Sequence, residues 1–271
     1  MPAFTDQTGR TVFLKSTPHR IISLVPSQTE LLFDLGLDEQ VVGITKFCVH
    51  PPAWFYTKKR TGGTKKLNID IIHQLQPDLI IANKEENAKE QVEELASRYP
   101  VWISDVSNLA DAYEMINQIG WITEKANEAK EIIESIKKEF SRLRNAHSLP
   151  VGGAGGICYL IWNDPYMTIG GDTFINSMLE AAGLENAFKN QTRYPEITIE
   201  ELKSKYIETL LLSSEPFHFK QKHIDQLQPL LPHVKIALVD GEMFSWYGSR
   251  LQYAPRYFEK LINTIGNRQI Q

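Results

Sequence analysis

Two cysteines, Cys48 and Cys158, are all that 271 residues contain. That is too few for a disulfide framework of the kind that staples small secreted domains. Long apolar runs are missing as well: stretches such as Thr209-Leu210-Leu211-Leu212 fall far short of the roughly 20 residues a bilayer-spanning helix needs. There is no basic excess, since 29 Lys and Arg stand against 33 Asp and Glu, for a formal charge of -4. Neither that balance nor any aromatic-plus-arginine stripe points to nucleic acid. The P-loop pattern, the G-x-S-x-G elbow and the H-E-x-x-H zinc motif are absent. Gly152-Gly153-Ala154-Gly155-Gly156 precedes an apolar run instead of following one, which makes it a poor dinucleotide fingerprint. The opening Met1-Pro2-Ala3-Phe4-Thr5-Asp6 has neither the charged nor the apolar region of an export signal.

What is present is a duplicated pattern. Thr29-Glu30-Leu31-Leu32-Phe33-Asp34-Leu35-Gly36-Leu37 is echoed by Ser177-Met178-Leu179-Glu180-Ala181-Ala182-Gly183-Leu184. Asn68-Ile69-Asp70 followed by Leu79-Ile80-Ile81 is echoed by Thr198-Ile199-Glu200 followed by Leu210-Leu211-Leu212. With 42% hydrophobic residues the chain can build two cores of ordinary size. Short apolar runs at 20–25, 41–44, 78–82 and 101–103 alternate with helical patterns, as in parallel βαβ units. Pro26 ends the first run, and Ser27 with Glu30 three residues on has the form of a capping box. Residues 85–98 and 108–120 are expected to be helical. From Thr123 to about Asn145 there is no Gly or Pro, and apolar residues recur at helical spacing among many charges. The expected architecture is therefore α/β: an N-terminal lobe over 1–120, a connecting backbone helix and linker over 121–150, and a C-terminal lobe over 151–271. A cleft between two such lobes is a common place for a small ligand.

Candidate site residues lie where strands should end, because ligands of open parallel sheets bind outside the strands' carboxyl ends. Phe47-Cys48-Val49-His50 follows one strand. If that segment is extended, Cys48 and His50 point the same way, and both are ligand types suited to zinc, copper or iron. Two such groups make half a metal site, and a buried thiol beside a surface imidazole is the competing reading. Lys84, Glu85 and Glu86 follow another strand, placed to meet an anion, a cation or a hydroxyl, or else simply an acidic helix start. Trp162 and Tyr166 lie on a loop bounded by Pro and Gly, and Trp246 and Tyr247 on a second aromatic loop, both suited to stacking on a planar ligand. Arg250 is a candidate anion partner or a structural ion-pair residue. Asp105 is a strand-end acid or a helix cap.

Arg20-Ile21-Ile22-Ser23-Leu24-Val25-Pro26-Ser27-Gln28-Thr29-Glu30 resembles the opening strand and helix of the helical-backbone metal receptors. These are substrate-binding proteins for cobalamin, ferric siderophores and haem that feed ABC importers. Leu75-Gln76-Pro77-Asp78-Leu79-Ile80 is similar to the family's L-x-P-D-L-I/V segment, and Gly170-Gly171-Asp172-Thr173-Phe174 to its G-x-D-T-F helix start. The resemblance spans residues 5 to 267. It implies two Rossmann-like lobes joined by one long helix, a ligand between them, and a monomer. It also implies that Asp70 and Glu200, at equal places in the repeat, dock to arginines of an importer permease. Phe47, Trp162, Tyr194 and Trp246 match the family's ligand walls, whereas Thr61 and Asn83 stand where the cobalamin receptor carries aromatic residues.

The function expected from this resemblance is capture of a metal chelate or corrinoid for an ABC importer. It requires no intrinsic cofactor, the metal-containing molecule being the cargo, and no catalysis. A cytoplasmic carrier or sensor on the same fold is the alternative, in keeping with the opening residues. A metal-dependent enzyme built on Cys48 and His50 is the third reading and needs a further ligand. By resemblance the protein works in the periplasm or at the cell surface.

Overall fold

The computed structural model describes residues 2–146, 156–205 and 207–266. They fall into two compact units. The first takes in positions up to Val106, then Ala110–Ser135 and Trp246–Arg250; the second takes in Ser107–Leu109, Ile136–Ser245 and the chain from Leu251 on. These units depart from the expected division at 120 and 150. The long helix is shared between them, and a five-residue strip from the C-terminal half belongs to the first. The glycine-rich run, read from sequence as the start of the second lobe, lies outside the described residues up to Gly155.

The first unit opens with an antiparallel hairpin, β1 (Ala3–Thr5) and β2 (Thr11–Phe13). There follow β3 (Ile21–Ser23), α1 (Pro26–Asp34), β4 (Val41–Ile44), α2 (Pro52–Thr57), β5 (Lys59–Arg60), α3 (Ile69–Leu75), β6 (Leu79–Asn83), α4 (Lys89–Ala96), β7 (Val101–Ser104), α5 (Leu109–Ile122) and α6 (Ala126–Ala146). Strands β3 to β7 form one parallel sheet in the order β5-β4-β3-β6-β7. Its β3, β6 and β7 are buried along their whole length, which is why they read as unbroken apolar runs instead of alternating ones. Ile22, Ile72, Ile80, Leu95 and Val101 meet in the core on one face of this sheet.

The second unit contains β8 (Ile157–Leu160), the short pair β9 (Trp162–Asn163) and β10 (Tyr166–Met167), α7 (Phe174–Ala181), α8 (Ile199–Ser204), β11 (Thr209–Ser213), α9 (Gln221–Leu227), β12 (Lys235–Val239), α10 (Glu242–Ser245), a 3-10 turn at Ser249–Gln252 shared with the first unit, and α11 (Ala254–Gly266). Its parallel sheet runs β12-β11-β8. That is the arrangement β7-β6-β3 of the first unit repeated, so the duplication seen in sequence is a duplication of strand order. Equivalent helices begin alike. The Asn68 side chain accepts from the Ile71 amide at 3.1 Å to cap α3, and Thr198 with Glu201 forms a reciprocal capping box on α8.

Three local expectations need correction. Helix α1 starts at Pro26 with no side-chain cap, so Ser27 and Glu30 are not a capping box. Proline fits this first position because its missing N–H has no helical partner anyway. The helix expected over 85–98 begins only at Lys89, because the preceding loop is held by side chains: Asn83 Oδ1 accepts from the amides of Glu85 and Glu86 at 2.8 and 3.0 Å, and Asn87 Oδ1 accepts from the Asn83 amide at 2.8 Å. The long helix begins at Ala126 after Glu124 adopts a left-handed conformation (φ 58°). Both cysteines are free and buried. No described helix is long and apolar enough to cross a membrane.

Candidate functional site

In the first unit the loops after β4, β6 and β7 carry most of the residues singled out from sequence. Residues 45–50 form a turn, with the Cys48 amide bonded to the Thr45 carbonyl and the Val49 amide to that of Phe47. The extended geometry that would align Cys48 with His50 is therefore not adopted. Cys48 is fully buried, and the Thr29 hydroxyl donates to its sulfur at 3.0 Å while Thr45 Oγ1 lies 3.2 Å away. Burial pushes this thiol above its ordinary value, so it stays neutral. His50 lies edge-on to Trp246 with ring centroids 5.6 Å apart. Among the described residues no group of three or more His, Cys, Asp or Glu is placed to hold a metal.

Phe47 points the other way and is 50% exposed. It packs over the Gly62-Gly63 turn, where a β-carbon on Gly63 would lie 3.2 Å from its ring. Lys84 pairs with Asp105 at 2.5 Å, and the Lys65 ammonium donates to the Glu85 carbonyl. Asn83 is buried and Thr61 fully so. Asn83 thus holds its loop from within, and neither buried residue presents a ligand wall. Asn83 Nδ2 donates to Ser104 Oγ at 3.0 Å, and Gln28 Nε2 donates to the same oxygen at 2.5 Å, which ties the start of α1 to the carboxyl ends of β6 and β7.

The strip Trp246–Arg250 was expected in the second lobe but packs in the first unit, for electrostatic reasons. Arg250 donates from Nε and Nη2 to the two carboxylate oxygens of Glu30, at 2.8 and 2.7 Å. Its guanidinium carbon lies 4.7 Å above the Trp246 ring. Tyr247 donates to Glu86 at 2.8 Å. Burial together with the adjacent Glu86 carboxylate holds that phenol far above its ordinary value. Burial also raises the Glu30 carboxyl, against the pull of Arg250. Trp246, Tyr247 and Arg250 are all buried, and Arg250 makes an ion pair of the kind given as its second reading. Sequence reasoning missed Glu30 as its partner. The two lie 220 positions apart, and only chemistry of type, not spacing, could have suggested the match.

In the second unit Trp162 is 40% exposed, edge-on to Phe217 at 5.7 Å, with its indole N–H donating to the Asp164 carbonyl. Tyr166 is half-buried against the core on one face of the sheet. Tyr194 is half-buried, with the Arg193 guanidinium 5.5 Å from its ring. Asp70 and Glu200 are exposed in the first turns of α3 and α8. Equal places in the repeat thus carry equal acidic groups on equivalent helices.

Residues 21–229 match the model of the periplasmic binding protein family, and the chain belongs to that family. Its relatives include an ABC transporter substrate-binding lipoprotein, YvrC, of Bacillus subtilis, which is 27% identical over 204 residues covering 73% of this chain and 64% of that protein. The vitamin B12-binding protein of Pectobacterium carotovorum is 24% identical over 88% of this chain and 86% of its own length. Among solved structures, the periplasmic vitamin B12 binding protein BtuF of Vibrio cholerae superposes with a TM-score of 0.77 at 19% identity, covering 93% of this chain and 99% of that one. A possible iron-binding periplasmic solute-binding protein of Staphylococcus epidermidis superposes at 0.76 with 25% identity over 93% of this chain and 100% of its own. The two-lobed α/β architecture with a long helix is the fold of these proteins.

Proposed function

We propose that this chain is the solute-binding component of an ABC importer and captures a metal chelate or corrinoid. Membership of the periplasmic binding protein family over residues 21–229 carries this reading. In that role the protein works outside the cytoplasmic membrane. Exposed Phe47, at the carboxyl edge of the first unit's sheet, supports it, as do Trp162, Tyr166 and Tyr194 in the second, since aromatic faces suit a planar or macrocyclic ligand. Lys84 and Glu85, on the loop after β6 at the same carboxyl edge of the sheet, supply polar contacts in this reading. Cys48, Trp246, Tyr247 and Arg250 act from behind, holding the loops in place. The Cys48 sulfur is buried, neutral and engaged by hydroxyls, which favours a metal carried inside its chelate over one ligated by the protein.

Native mass spectrometry against cobalamin, haem, ferric siderophores and bare divalent metals tests the reading. The expected result is a complex with a chelate or corrinoid, weakened about tenfold by Phe47→Ala, as for loss of an exposed aromatic anchor. Binding of bare metal alone, lost in Cys48→Ala, would overturn it.

Asp70 and Glu200 dock the loaded protein on the permease in this proposal. Both are exposed, so reversing their charge leaves the fold intact. In Asp70→Arg/Glu200→Arg, importer-dependent ligand uptake should be lost while the ligand Kd of the purified protein stays unchanged. Normal uptake by the double variant would remove the docking role.

A further inference from the structure

The stretch from Val41 to Ile69 contains six Lys and Arg and no Asp or Glu, in a chain whose net charge is -4. Folding brings part of that charge to one rim. Lys46 follows β4, and its ammonium lies 5.0 Å from the Phe47 ring centre. Gly63 and Lys66 exchange backbone hydrogen bonds at 2.8 and 3.3 Å, closing a tight turn that presents Lys65 and Lys66. Phe47 and the Lys46 stem both pack against Gly63 at that turn. Lys65 is anchored by the Glu85 carbonyl. That contact fixes its position without cancelling its charge, because the acceptor is a neutral amide and not a carboxylate. Lys46, Lys65 and Lys66 are exposed. Lys46 flanks the exposed Phe47 ring, and the turn that carries Lys65 and Lys66 packs against that ring through Gly63, at the carboxyl edge of the sheet, where ligands of open parallel sheets bind.

We propose that the cargo is an anionic metal chelate, engaged by Lys46 and Lys65 around the face of Phe47, and not an electroneutral corrinoid. The inference rests on the solute-binding reading above and narrows it. Pre-positioned ammonium groups beside an aromatic ring select a ligand that presents a polarisable aromatic face and carries negative charge. They give a neutral complex of the same size only the stacking contribution. Replacement of Thr61 and Asn83 by aromatic groups would be needed to widen that apolar contact, and both are buried, with Asn83 bonded to Ser104.

The test is equilibrium binding to the intact protein, followed by intrinsic fluorescence, with three probes. These are trianionic ferric tris-catecholate, an electroneutral ferric trihydroxamate of similar size, and cyanocobalamin. The tris-catecholate should bind at least about tenfold more tightly than either neutral probe, with an affinity that falls as salt rises. Lys46→Gln/Lys65→Gln should weaken it by about tenfold and leave the weak binding of the neutral probes unchanged. Lys59→Gln/Lys138→Gln, the same loss of two charges at exposed positions on β5 and α6, should have no effect. Equal or tighter, salt-insensitive binding of cyanocobalamin or the trihydroxamate overturns the charge selection while leaving the solute-binding function intact. Failure to bind any of the three probes overturns both. Equal losses from Lys59→Gln/Lys138→Gln and from Lys46→Gln/Lys65→Gln would show bulk charge in place of a site.

Discussion

Glu30→Met should lower folding stability by about 3–5 kcal/mol, read as a fall in the urea midpoint at unchanged slope. The reason is the asymmetry of the pair. Arg250 and Glu30 have side chains only 10% and 13% exposed, and removing the carboxylate leaves a guanidinium that cannot shed its proton. Arg250→Met should cost less, because the stranded carboxyl can neutralise. Burial already holds Glu30 above its ordinary value, with Asp34 pushing the same way and Arg250 and His50 pulling down. Without Arg250 the folded-state value rises further above the unfolded one. The folded state then binds the proton more tightly, so stability in Arg250→Met is fully present below the unfolded value and is lost as pH rises through the folded one. The variant should therefore recover on mild acidification, and Glu30→Met should not. The double variant Glu30→Met/Arg250→Met should sit near wild type, since two apolar side chains replace two desolvated charges. A double variant as unstable as Glu30→Met would mean that the pair contributes shape and hydrogen bonding, not charge balance.

That pair also marks where the amino-acid sequence stops being informative. Strands β3, β6 and β11 were legible because full burial leaves a continuous apolar run, and the α3 and α8 starts because a cap acts over three residues. Asp70 and Glu200 were legible as equivalents for the same reason. Glu30 was misread for a related cause: spacing alone cannot tell a carboxylate that reaches back to its own helix from one that reaches 220 positions forward. The Phe47–His50 segment illustrates a second limit. Assuming extended backbone placed Cys48 and His50 on one side, while two local backbone hydrogen bonds fold the segment into a turn, with the thiol buried. Asn83 and Asn87 show a third. Their side chains replace the first turn of the expected helix, and Asn is as common in a solvated loop as in a buried one.

Gly171→Ala should be the second severe lesion, costing about 3 kcal/mol, and its cause lies in packing. The segment Thr168–Gly171 runs beside 191–195, with the Thr168, Gly170 and Gly171 amides donating to the carbonyls of Pro195, Arg193 and Gln191 at 3.0, 2.7 and 2.9 Å. A β-carbon on Gly171 would lie 2.1 Å from the Lys189 carbonyl oxygen. Backbone cannot swing aside as a long side chain does, so relief requires moving the strand-like run that carries Tyr194 or shifting the Thr173 cap of α7. Gly183→Ala is the informative comparison. Nothing lies within 4 Å of a β-carbon there, but φ is +73°, so its cost is the left-handed conformation alone, about 1 kcal/mol. Chemical denaturation of both variants separates the two causes. If Gly171→Ala lost no more than Gly183→Ala, the close approach of these two backbone segments would not be a constraint on the second unit. If it loses the larger amount, Gly171, at the variable place of the G-x-D-T-F-like segment, is a glycine because two chain segments touch there, and that place is set by packing before anything else.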